Sequence, residues 1–160
     1  MERARRRLQV TPRTSRRPRS DRGRSRIDPR VLSAVAEAAG GHDRPSMAAL
    51  IETVGRRCRE QGLAPPSRAT LYKLLVRLPT TTHRLGDLPP AVQAALYNLE
   101  PDSKVPAHQV AFYCFNYGDL RAIAFASGMP WLALYQARRL PGFRAKSRGL
   151  LDAVAAARGI

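Results

Sequence analysis

Residues 46–78, SMAALIETVGRRCREQGLAPPSRATLYKLLVRL, decide how this chain folds, because two helix starts and two apolar stripes stand in one run. Ser46 and Ser67 each come just before an apolar periodicity, where a side-chain oxygen can accept from the free N–H groups of a first turn. After Ser46, Met47, Leu50, Ile51, Val54 and Cys58 recur at helical spacing up to Gly62. After Ser67, Leu71, Leu74, Leu75 and Leu78 do the same until Pro79 stops the run. At about 100° per residue the second helix turns its leucines inward and leaves Ala69, Tyr72, Lys73, Val76 and Arg77 outward, with Arg68 at the exposed first turn. One face is apolar and the other basic. A helix of that kind, entered from a scaffold helix through a short connection, is what a helix-turn-helix reader asks of its sequence.

Upstream, Asp28 stands before Pro29, a capping residue followed by one pre-organised for the first helical position. Leu32, Val35, Ala36 and Ala39 continue a helix that Gly40 and Gly41 end, so residues 28–79 are expected to form a trihelical domain. Residues 1–27 differ in kind. The first thirty positions hold twelve arginines against Glu2, Asp21 and Asp28, a net +9 that leaves +7 for the remainder. With so few apolar residues this segment cannot offset the entropy of ordering, and it is expected to be a disordered basic arm. In it Arg5, Arg6, Arg7, Arg16, Arg17 and Arg19 suit phosphates or a minor groove.

Downstream, Thr80–Leu88 contains a threonine run and Gly86 without apolar periodicity, which reads as a linker over 80–88. A second helical domain is expected over 89–160, with helices at about 90–99, 106–117, 119–127, 130–140 and 147–157. Val110–Phe115 is nearly all apolar and β-prone, so its pattern fits a helix or a buried strand, with Pro106 favouring the helix. Within 119–140, Leu120, Ile123 and Ala124, a turn at Gly128 and Leu134 follow helix-turn-helix order. This leaves Trp131, Gln136, Arg138 and Arg139 as candidates for an exposed surface, although Trp131 and Tyr135 suit a core better than base stacking. Arg144, Lys146 and Arg148 then lead into an apolar helix, a setting for phosphate clamping or for a solvated face. Phe112, Tyr113, Phe115 and Tyr117 suit a core better than a stacking platform for single-stranded RNA.

The segment CREQGL (58–63) running into PSRATLYKLL (66–75) resembles the N-terminal helix-turn-helix of transposases of the Mu and Tn7-like integrase group. The likeness covers about residues 46–78, and it implies a role at transposon-end DNA for Ser67, Arg68, Thr70 and Lys73. No triad of metal-binding carboxylates is apparent in the second half, so a reading head without the enzyme is expected. More weakly, 119–140 resembles small phage and bacterial helix-turn-helix regulators, which implies DNA contacts by Gln136 and Arg139.

Charge narrows the function classes. Lys and Arg number 28 against 12 Asp and Glu, and the resulting +16 concentrates polyanions around the chain. No apolar span of membrane length and no secretory signal appears in the sequence, so a cytoplasmic location without membrane contact is expected. Cys58 and Cys114 are too few for a disulfide framework, and His42, His83 and His108 lack neighbours at metal spacing. Neither catalysis, cofactor nor metal is expected.

The reading is therefore an all-α chain of two small helical domains, each with a helix-turn-helix-like unit, behind a basic arm. Its expected work is sequence-specific binding of duplex DNA as a repressor or antitoxin-like regulator. Ser67, Arg68, Thr70, Tyr72, Lys73, Arg77, Gln136, Arg139, Arg144, Lys146 and Arg148 are the contact candidates. Two alternatives stay open: an accessory subunit of a mobile element, and a structural or RNA-binding protein without sequence choice. A homodimer, or a protein partner on the second domain, is left open too.

Overall fold

The computed structural model describes residues 27–160. Their fold is all-α apart from one small ladder. Helices α1 (Pro29–Ala39), α2 (Met47–Glu60) and α3 (Arg68–Leu75) come first, then strand β1 (Thr82–Arg84), a 3₁₀ turn at Leu85–Asp87 and α4 (Pro90–Ala95). Strand β2 (Lys104–Pro106) and helices α5 (Ala107–Tyr117), α6 (Leu120–Ser127), α7 (Trp131–Ala137) and α8 (Ala145–Ala157) complete the order. The basic arm expected at the start lies outside the described residues.

The capping signals act as their chemistry requires. The Asp28 carboxylate accepts from Arg30 N–H, Ser46 Oγ from Ala49 N–H at 3.1 Å, and Ser67 Oγ from Thr70 N–H at 3.2 Å. Helix α2 closes with Gly62 at φ +67°, from which Gly62 N–H donates to Arg59 O and Leu63 N–H to Cys58 O. This paired closure satisfies carbonyls that the helix end leaves free, and Leu63 packs back on the core. Helix α8 ends the same way at Gly159, φ +65°, and seats Ile160 against the interior. Val110–Phe115 is helical, within α5.

The expected linker is structure. Residues 82–84 pair antiparallel with 104–106, His83 opposite Val105, and Leu85 and Leu88 are buried with α4 and α5. A run without periodicity reads as a loop, but a three-residue strand is too short to show one. Around α5, whose Val110, Cys114 and Phe115 are buried, the core gathers Val92, Leu96, Val105 and Leu134. Around α1 a second core gathers Val31, Val35, Leu50, Val54, Cys58, Leu71, Leu74 and Leu75.

Helix α7 belongs to both cores, so the two halves are not the separate domains that the sequence suggests. All seven of its residues are buried. Trp131, Leu132 and Tyr135 complete the core around α1, while Ala133, Leu134 and Ala137 complete the core around α5. A helix apolar on every side is at home only between two packing surfaces. Polar bonds fasten the same junction: Trp131 Nε1–H donates to Ala39 O at 3.0 Å, and the Arg158 guanidinium donates to the carbonyls of Ser127, Met129 and His42.

Candidate nucleic-acid interface

Helix α3 presents the face its sequence promises. Leu71, Leu74, Leu75 and Leu78 are buried, and Arg68, Lys73, Val76 and Arg77 are exposed. Ser67 and Thr70 are tied together at the helix start, Oγ to Oγ1 at 2.9 Å, which holds the first turn in shape. The Arg68 guanidinium lies beside Tyr72, with Nη2 donating to Tyr72 Oη at 3.5 Å and its carbon 5.8 Å from the ring centroid. The connection between α2 and α3 spans residues 61–67, longer than a three- or four-residue helix-turn-helix corner. Both helices pack on α1, which acts as their common support.

The second helix-turn-helix expectation needs correction. Segments α6 and α7 do flank a short turn at Gly128, but α7 is enclosed and has no side free to enter a groove. Trp131 is core, as favoured. Gln136 does not face outward: only 4% exposed, it donates through Nε2 to Leu75 O at 2.7 Å and Leu78 O at 2.8 Å. Those are carbonyls at and beyond the end of α3, where intrahelical donors run out. Gln136 is thus the clasp that fixes α3 to α7. Amphipathic patterning could not reveal this, since a glutamine in a buried helix and one on a wet face look alike in sequence.

The clasp sets Arg77 and Arg139 side by side. Arg77, from the turn after α3, and Arg139, just after α7, line one cleft of about 380 Å³ together with Thr80, Thr82 and His108. Arg139 also lines an adjoining cleft with Arg138 and Arg148. Arg139 lines both clefts, so Arg77, Arg139, Arg138 and Arg148 follow one another as an arginine band. Its guanidinium lies 3.6 Å from the Tyr135 ring centroid and donates to Tyr135 O at 2.8 Å, so it is held in place. Among the described residues, Arg138 is compensated by Asp152 at 2.6 Å, whereas Arg68, Lys73, Arg77, Arg139 and Arg148 have no carboxylate partner. His108 Nδ1 meets Thr80 Oγ1 at 2.9 Å, and burial pushes the imidazole below its ordinary pKa, so the ring favours its neutral form there.

Farther along, Arg144 N–H donates to Asn116 Oδ1 at 3.1 Å and its guanidinium rests 4.7 Å from the Tyr117 ring centroid. Lys146 and Arg148 are exposed on the first turns of α8. Arg5, Arg6, Arg7, Arg16, Arg17 and Arg19 lie outside the described residues. Thr80, Thr82 and His108 were not read as site residues from sequence; the threonine run looked like linker, and only the β1–β2 ladder and α5 bring them beside Arg77.

No group of three or more His, Cys, Asp or Glu residues in the described part could hold a metal ion. No described helix is long and apolar enough to cross a membrane. Compared with protein-family models, with curated proteins and with solved structures, the chain matches none.

Proposed function

We propose that this chain binds duplex DNA as a sequence-specific regulator of the repressor or antitoxin-like kind, with α3 as the reading element. The observation that carries the reading is the continuity between Arg77, in the turn after α3, and the arginine band through Arg139 to Arg148. An eight-residue helix at about 1.5 Å per residue is a rod of roughly 12 Å, comparable with the width of a major groove. Arg68 would then meet base edges from the first turn, where a guanidinium can donate twice to guanine. Lys73, Arg77, Arg139 and Arg148 would meet phosphates and set the register. The excess charge of the first thirty residues adds to attraction along the backbone.

The resemblance of residues 58–63 and 66–75 to transposase reading heads favours a second form of the same reading, an accessory subunit at the ends of a mobile element. Neighbouring genes separate the two forms. Selection of bound duplexes from a random library, at salt high enough to weaken phosphate contacts, tests both. An enriched motif is expected, and a palindromic one would report a dimer. Binding without enrichment would overturn sequence-specific reading, and preference for structured RNA would replace it with the non-specific alternative.

A further inference from the structure

Tyrosines from two separate segments meet on the outside of the molecule. Tyr97, just after α4, is 74% exposed, and its ring stands edge-on to Tyr117 with centroids 6.2 Å apart and planes at 82°. Tyr117, at the end of α5, is 40% exposed and also contacts Tyr113 at 5.8 Å. The Arg144 guanidinium lies over the Tyr117 ring. Rings of this size normally fold inward; here neither does. Tyr97 has no core to complete. Asp119, the nearest acid in sequence, is turned to its own helix, accepting from Ala122 N–H at 2.9 Å.

We infer that Tyr97, Tyr117 and Arg144 form a stacking platform for an unpaired nucleobase, with Arg144 and the exposed Lys146 taking the adjoining phosphates. The charge decides between occupants. To a chain carrying +16, an unpaired strand brings flat apolar faces and phosphates together, matching rings set beside cations. Aliphatic side chains would serve a protein contact as well, but they cannot stack a base. This inference rests on the nucleic-acid reading above but concerns a different strand state. It makes the protein a reader of duplexes that also holds a single-stranded segment, such as a frayed end or an extruded base.

The test uses the full chain and two fluorescent probes, a 12-nucleotide oligothymidylate and a 20-base-pair duplex, titrated against wild type, Tyr97→Ala and Tyr97→Phe. Stacking of one base on an aromatic ring predicts roughly a tenfold loss of oligothymidylate affinity in Tyr97→Ala, with recovery in Tyr97→Phe. Duplex affinity should stay the same. Because Tyr97 is so exposed, its removal leaves the core intact. Unchanged oligothymidylate binding in Tyr97→Ala, with duplex binding retained, overturns the platform and spares the duplex reading. Failure of the wild type to bind either probe overturns both. A wild-type dimer by light scattering that Tyr97→Ala converts to monomer would make the patch a subunit contact and overturn the inference as well.

Discussion

Replacing Gln136 by Met removes the clasp between α3 and α7 while nearly keeping side-chain volume. The Gln136 amide makes two short bonds, 2.7 and 2.8 Å, to Leu75 O and Leu78 O. A typical intramolecular hydrogen bond contributes about 0.5–1.5 kcal/mol net, and a buried acceptor left without a donor costs about 1–3 kcal/mol. If both carbonyls stayed dry the upper end would apply. Gln136, however, also lines the cleft with Arg77 and Arg139, through which water can reach part of the gap. The expected loss is therefore about 2–4 kcal/mol, or a fall in Tm of roughly 6–15 °C for a chain of this size. Gln136→Ala should cost about 1 kcal/mol more, because a cavity is added. Gln136→Glu, at neutral pH, should cost more than Gln136→Met, since it sets a buried carboxylate against two carbonyls. Urea unfolding followed by circular dichroism measures all three. A Gln136→Met variant within about 0.5 kcal/mol of wild type would refute the clasp and would mean that apolar packing of α7 alone holds the halves together.

Arg68→Ala should lose about 1–3 kcal/mol on a selected site and little on random duplex; equal losses on both would make Arg68 a phosphate contact. Arg77→Ala should weaken all sequences alike and reduce the slope of log affinity against log salt by about 1, and removing residues 1–26 should reduce it by several units; an unaltered slope in either would place those cations off the duplex. Burial lowers the His108 pKa, so the neutral ring favours the folded state. Its contribution is complete above about pH 6.5 and is lost as the pH falls through the lower folded-state value. Melting curves from pH 8 to 5 should show this fall, and His108→Gln should flatten it; an equal slope in the variant would reject the assignment. The Cys114 thiol, pushed up to about 12 mainly by burial and secondarily by the Asp119 charge, holds almost no thiolate at pH 8. Cys58 is fully buried. Thiol labelling of the folded chain should run roughly a hundredfold or more slower than in denaturant, and rapid labelling of either would show an open core.

How much of this was legible depended on the range of the interaction. Local rules read well: Asp28, Ser46 and Ser67 cap helices because a cap needs only its own first turn, and the α3 leucines point inward because 3.6 residues make a turn. The outward placement of Arg68, Lys73 and Arg77 follows from the same periodicity. Short or doubly buried elements read poorly. Strand β1 is three residues long and takes its pairing from β2, so nothing within residues 80–88 announces it. Periodicity had no single face to find in α7, since Trp131, Leu132 and Tyr135 serve one core and Ala133, Leu134 and Ala137 the other. Gln136 lies among them, and its partners are carbonyls some sixty residues back in the chain.

From residue types and spacing alone came the basic character, the helical class, the exposed face of α3 and the place of Cys58 in an apolar stripe. The meeting of Arg77 with Arg139 and Arg148, and of Tyr97 with Tyr117 and Arg144, was decided only when the chain closed on itself. Capping and periodicity act over one or two turns, whereas a surface is assembled from segments whose proximity depends on every packed contact between them.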